Sequence, residues 1–292
     1  MKLTRLFVLT AVICLLGVSL IGQTMPQGAD PKVWAEALRI HRRAIVVDGH
    51  NDIPSPLTDD DFDLATNSVG MIHATDGTPY HTDLARFKAS GITGEFFSIY
   101  VGGDTWKAGG AMERAMDMID SSYREAEKHP GQLMMCTTAA EIRQAKRLNK
   151  VCVLMGIEGG YAIENSLHAL RNFYRLGIRY MTLTHNVSHD WADAHAGEVK
   201  NNGLSEFGKE VVREMNRLGM LIDISHVSVK VMNDALDVSK APIIASHSSA
   251  RGVQDHTRNV PDDVLKRVAK NGGVIMVNFY PGFLDARTNN EE

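Results

Sequence analysis

From Ala44 onward the chain alternates short aliphatic runs with longer stretches in which apolar positions recur every three to four residues. The runs, at 44–47, 93–101, 151–157, 178–183, 220–224, 242–245 and 273–277, are nearly continuous, the pattern of strands covered on both faces. The stretches 112–128, 138–149, 166–176, 205–218, 229–238 and 261–270 have helical spacing. Gly177 and Gly219 lie just past two of their ends, and Pro261 suits a first turn. Strand and helix in alternation predict an α/β fold with a parallel sheet. Seven such strands, with no Gly-rich dinucleotide turn after the first, favour a TIM-like (β/α)8 barrel that stops before its eighth strand over an open doubly wound sheet. Segment 55–82 has no period and is expected to be a long loop, a candidate lid.

Composition narrows the class. With 44% hydrophobic and 23% charged residues, the 292-residue chain can fill a core, which excludes a disordered tail, a collagen and a multispan membrane protein. Length alone would allow two domains, but a barrel of this size forms one, assigned to 23–292. The net charge of −4 and the lack of any Lys/Arg-dense stretch argue against a nucleic-acid partner.

Residues 1–22 are set apart. Lys2 and Arg5 precede an uncharged apolar run from Leu6 to Ile21, the layout of a secretory signal. The run is short for a membrane span, so cleavage and export to a periplasm or the exterior are expected; membrane attachment would follow only if the segment stayed in place. Cys14 falls within it. Cys136 and Cys152 remain, and an export compartment would let them pair. A buried thiol is the simpler reading of Cys152, which sits in a strongly apolar strand.

Candidate chemistry gathers where the strands stop. Asp-Gly-His-Asn-Asp places His50 and Asp52 two apart, on one strand face. Glu158 ends Gly-Ile-Glu-Gly-Gly, His185 ends Thr-Leu-Thr-His, His226 ends Asp-Ile-Ser-His, and His247 sits in Ala-Ser-His-Ser-Ser. The C-terminal ends of barrel strands share one face, so five of the seven strands deliver imidazoles and carboxylates to one place, a donor set suited to Zn²⁺. Each residue alone has a plainer explanation: a loop histidine, or a carboxylate opening a helix. Repetition across strands is what favours a metal.

Other features carry less. His41, His73, His81, His129, His168, His189, His195 and His256 are expected to be solvated, as is the acidic run 59–63. The stretch 102–107 lacks the Lys-Ser/Thr pair of a phosphate loop, and Ser248 and Ser249 lack a nucleophile elbow.

In combination, Asp-Gly-His-Asn-Asp, Gly-Ile-Glu-Gly, Leu-Thr-His-Asn, Asp-Ile-Ser-His, Ser-His-Ser-Ser-Ala and Arg-Asn-Val-Pro-Asp-Asp resemble the motifs of the membrane (renal-type) dipeptidases, binuclear zinc barrels. The resemblance runs from about Ile45 to Phe283. It implies two Zn²⁺ per chain: one held by His50, Asp52 and Glu158, the other by the bridging Glu158 with His226 and His247. A hydroxide shared by the ions would attack a dipeptide carbonyl. His185 would contact the substrate and its tetrahedral intermediate, and Arg258 the free C-terminal carboxylate. The family's last strand ends in an Asp-bearing motif that 281–292 does not contain, and Asp285 does not replace it. The resemblance therefore implies a C-terminally truncated form that keeps its metal ligands but lacks the residue that hands a proton to the leaving amine. Two rivals stand beside dipeptide hydrolysis: a related barrel hydrolase acting on lactones or β-lactams, and a non-catalytic metal-binding fragment. A homodimer is left open.

Overall fold

The computed structural model describes residues 24–75 and 77–290, so the expected signal segment lies outside the described residues. In chain order it contains α1 (Pro31–Arg43), β1 (Val47–Asn51), α2 (Pro54–Asp59), α3 (Leu84–Ser90), β2 (Gly94–Tyr100), α4 (Gly103–Lys107), α5 (Ala111–Lys128), β3 (Leu133–Met135), α6 (Ala139–Leu148) and β4 (Val151–Glu158). There follow α7 (Leu167–Arg175), β5 (Ile178–Thr182), α8 (Glu206–Leu218), β6 (Leu221–Asp223), α9 (Val229–Val238), β7 (Ile244–Ala245), α10 (Asp262–Asn271) and β8 (Val274–Ile275). Among the described residues no helix is long and apolar enough to cross a membrane.

Parallel ladders join the strands in the order β1-β2-β4-β5-β6-β7-β8. β3 lies off that path, its Leu133 opposite Val151 on the first half of β4, and β5 takes over from Met155. The path curls into a half-barrel of seven strands. Gly49 on β1 meets the far end of the sheet, where a Cβ would stand 2.5 Å from the Ser246 carbonyl oxygen and 2.1 Å from Met276 Sδ. Any larger residue would push the two ends apart.

Side chains alternate across the sheet with period two. Phe96, Cys152, Leu154, Tyr180 and Ile244 form one apolar cluster. The intervening Phe97, Ile99, Val153, Met155 and Ile157 pack with Met118 of α5, Phe173 of α7 and Val212 and Met215 of α8. Both faces are covered, which is why the strands read as unbroken apolar runs. Each Leu, Ile, Val or Phe so buried contributes about 1.5–3 kcal/mol. Helix starts are fixed by side-chain caps at Asp83, Thr138, Ser166, Ser205 and Ser228, with a reciprocal Thr138–Glu141 capping box.

The structure departs from expectation at several points, α1, α3 and α4 among them, which fall in stretches where no helix was expected. β3 was not foreseen, since three residues are too few for a periodicity. Segment 55–82 is not all loop: it opens inside α2, where Pro54 starts the helix and Pro56 and Leu57 are buried. Most consequentially, Cys136 and Cys152 are joined in a disulfide, with Cα atoms 5.5 Å apart. Pairing of β3 with the start of β4 carries Cys136 to its partner, so the buried-thiol reading of Cys152 is corrected. Replacing both cysteines by alanine should lower the unfolding free energy by about 3 kcal/mol, the chain-entropy scale for a loop of roughly 15 residues. Urea denaturation of the oxidised parent and the double variant measures it, and a thiol assay on the native parent should detect neither cysteine.

Candidate metal centre

Glu158 is the last residue of β4 and is 3% exposed. Gly159 follows with φ +105°, a conformation that turns the chain away at once and that other residues rarely adopt. Buried, the carboxylate presents a different oxygen to each of two groups. Its Oε1 lies 2.9 Å from His226 Nε2 and 3.3 Å from His247 Nε2; those two nitrogens are themselves 2.9 Å apart. Its Oε2 lies 3.4 Å from His50 Nε2 and accepts a hydrogen bond from Ser98 Oγ at 3.2 Å. The His50 and His247 rings stack with centroids 3.7 Å apart.

The far side of each ring decides which nitrogen carries the proton. Asp223 accepts from Thr182 Oγ1, Ser225 N, Ser246 N and Ser246 Oγ. Having given its proton to Asp223, Ser246 Oγ accepts one from His247 Nδ1 at 2.7 Å. Asn186 Oδ1, an acceptor, takes His226 Nδ1–H at 2.9 Å and His195 Nε2–H at 3.1 Å. His50 Nδ1 meets the Tyr180 hydroxyl at 3.0 Å. His226 and His247 therefore turn bare Nε2 lone pairs toward each other and toward a carboxylate. Three lone pairs facing inward repel one another unless a cation lies among them. Their 2.9–3.3 Å spacing is close to the roughly 3.3 Å edge of a tetrahedron with 2 Å arms. The donor set fits a divalent metal ion, with outer hydrogen bonds of the kind that orient such ligands.

Electrostatics agree. Burial drives the His226 imidazole well below its ordinary value, reinforced by the Arg258 charge. Burial and the neighbouring His50 bring His247 down to about 4. Burial would raise the Glu158 carboxyl, but the charge of the His50 imidazole beside it holds it well below the usual range. Strain is stored here too. His226 has φ +64°, costing about 1–2 kcal/mol, and its carbonyl is pinned by His195 N at 2.7 Å and Thr184 Oγ1 at 3.1 Å.

The membrane dipeptidase family, peptidase family M19, matches residues 34–291. A Schizosaccharomyces pombe protein named as an uncharacterized dipeptidase is 38% identical over 278 residues, which cover 90% of this chain and 67% of that protein. The crystal structure of dipeptidase AC, a metallopeptidase of family M19, is 31% identical with a TM-score of 0.69, over 82% of this chain and 74% of that one. A Rhodobacter sphaeroides metallopeptidase solved with a phosphinate mimic of L-Ala-D-Ala is 29% identical, also with a TM-score of 0.69, over 82% and 75% of the two chains. This chain belongs to the membrane dipeptidase family. It spans two thirds to three quarters of the length of these relatives.

Within this family member, most residues singled out from sequence meet. Ligand atoms of His50, Glu158 and His247, and of Glu158, His185 and His226, lie within 4.8 Å of one another. Asp52 stands apart: a register shift follows Asp48, its side chain is 64% exposed, and Oδ1 reaches His50 Nε2 at 3.4 Å but no other site residue. The His185 ring packs between Tyr100 and His226, at 4.9 and 4.3 Å. Arg258 is 4% exposed, donates to Ser248 Oγ and the His247 carbonyl, and pairs with no carboxylate among the described residues.

Sequence reasoning missed the supporting shell of Asp223, Ser246, Asn186 and Tyr180, although Asp223, Ser246 and Asn186 sit in the quoted motifs. His189 and His195 were expected to be solvated. His189 is instead 1% exposed, its Nε2 donating to the Leu183 carbonyl, and His195 braces the metal centre. The acidic run is not simply solvated either: Asp63 joins Lys128, His129 and Glu125 in an ion-pair network at the end of α5. Ser246→Ala, which frees His247 to rotate, should weaken binding of a divalent metal ion about 10–100-fold. Competition titration against a chelator of known affinity measures the change.

Proposed function

We propose that this chain is the metal-bearing part of a dipeptidase that hydrolyses short peptides with a free C-terminus, holding two Zn²⁺ ions through His50, Asp52, Glu158, His226 and His247. One observation carries the reading: the buried Glu158 offers one oxygen to each of two imidazole groups, the geometry of a bridging ligand. Bound there, paired zinc ions would supply an activated water and a Lewis acid for the peptide carbonyl. The chain's own residues supply orientation. Burial holds His185 below its ordinary value, so it is neutral at pH 7 and has an N–H to offer the carbonyl oxygen as charge develops there. Arg258, brought down to about 10 by burial yet still charged, feels Glu158 and Asp223 only at longer range and forms an ion pair with no carboxylate among the described residues. A substrate carboxylate would pair with it through a planar two-point contact.

That cation favours linear peptides over neutral lactones, one of the two rival substrate classes; a β-lactam that carries a carboxylate would satisfy it equally. The mimic bound to the Rhodobacter relative suggests a D-residue at the C-terminal position of the substrate. Export through residues 1–22 belongs to the same proposal, and the Cys136–Cys152 bridge supports it because such bonds persist in oxidising compartments.

Two variants test the assignment. Glu158→Gln should strip most of the zinc, from near two ions per chain to well below one by elemental analysis; full retention would contradict the bridge. Arg258→Ala should raise KM for free dipeptides by tenfold or more, the scale of a lost charged hydrogen bond of about 1.5–3 kcal/mol, and affect amidated dipeptides, through lost packing alone, several-fold less. Equal effects on both substrate classes would remove Arg258 from carboxylate binding.

A further inference from the structure

We infer that the open pocket at the end of β2 receives the side chain of the substrate's N-terminal residue and favours a positively charged one, with Asp104 as the recognising group. The inference rests on the dipeptide reading above. The pocket encloses about 400 Å³ and is lined by Tyr100, Gly102, Gly103, Asp104, Thr105 and Arg114. That volume falls within the range of small-molecule sites, roughly 300–1,000 Å³. Its inner wall belongs to the metal centre: Tyr100 stands opposite Glu158 in the β2–β4 ladder and sets its ring edge-on to His185.

Strand order gives the direction of the substrate. Arg258 is bonded around His247 and Ser248, beyond β7, whereas the pocket opens beyond β2. Along the sheet β4, β5 and β6 lie between them, with Glu158 at the end of β4; the other way, across the curl, lies β1, whose His50 ring stacks on that of His247. A dipeptide with its carboxylate at Arg258 and its scissile carbonyl beside Glu158 therefore points its N-terminal residue toward β2.

Charge gives the preference. Arg114 is already engaged, its two terminal nitrogens donating to the two Asp59 oxygens at 2.5 and 2.7 Å. Asp104 is held more loosely: its fully exposed carboxylate accepts no hydrogen bond among the described residues and pairs only with an exposed Lys107 at 3.5 Å. The lining thus has, on the first turn of α4, an acid whose solvent-exposed partner a substrate ammonium can replace. Apart from the Tyr100 ring it has no large apolar wall, so an aliphatic side chain has little to bury against. The ring suits the methylene stem of a lysine, and Asp104 its ammonium.

The test compares L-Lys-D-Ala, L-norleucyl-D-Ala and L-Glu-D-Ala on the zinc-loaded full chain, reading kcat/KM, together with Kd for phosphinate analogues of the lysyl and norleucyl compounds. Norleucine keeps the length and removes the charge. The lysyl compound should lead norleucyl by about three- to fivefold in both readouts, the scale of a solvent-exposed ion pair, with glutamyl lowest. Asp104→Asn should bring the lysyl-to-norleucyl ratio to about one, and Asp104→Lys should place glutamyl above lysyl. Equal handling of lysyl and norleucyl by the parent, or a ratio that survives Asp104→Asn, would overturn the pocket assignment and leave the dipeptide reading standing. If no dipeptide is turned over and no phosphinate binds, both fall.

Discussion

The structure turns on one buried carboxylate. Removing Glu158 from water without compensation would be prohibitive, and the fold sets around it a serine hydroxyl, the His50 imidazole and two further imidazole nitrogens that a cation would join to it. That arrangement needs the sheet to curl. His50 comes from the first strand, whereas His226 and His247 follow the sixth and seventh, so a flat sheet would leave them far from β4. The close approach of Gly49 to Ser246 and Met276 is what the curl looks like at its tightest point. Fold and site are therefore the same constraint seen at two scales: the barrel-like closure exists where the charges must be gathered.

Around this centre, positioning is done by groups with no ligand role of their own. Asp223 satisfies four donors at once and, through Ser246, fixes His247; Asn186 fixes His226 and ties it to His195. Imidazoles left free would choose their own tautomers, and the three inward lone pairs would not persist. The left-handed backbone at His226 belongs to the same logic, a strained residue held by hydrogen bonds to its carbonyl so that its ring points inward.

The long aliphatic runs made the parallel sheet legible in the sequence, because strands covered on both faces leave an unbroken apolar trace. The strand-end motifs made the cluster of His50, Glu158, His185, His226 and His247 legible for a related reason: a parallel sheet delivers all its C-terminal ends to one place. What stayed hidden lacked a period or depended on partners distant in sequence. β3 is three residues long, and the disulfide follows from its pairing with β4. The burial of His189 depends on the loop after β5 folding back onto Tyr161 and Trp191, which no local pattern encodes. Asp52 lies one residue past the end of β1: its Oδ1 stands 3.4 Å from His50 Nε2, the neighbour that two-residue spacing gives it, while its side chain stays mostly in solvent.

The two ends of the cleft differ in how freely they can change. Arg258 lies buried between Ser248, the His247 carbonyl and the ring of Phe283, so altering it disturbs packing as well as recognition. Asp104 sits on a five-residue helix with no side-chain cap, exposed and bonded to little. Substitutions there leave the sheet and the Glu158 cluster untouched. Loops and short helices at the mouths of barrels tolerate such change because rigid strands carry the chemistry beneath them. A free carboxylate is common to every linear dipeptide, whereas the first side chain is not. The buried end of the cleft is therefore suited to the invariant part of the substrate, and the exposed end to the part that distinguishes one peptide from another.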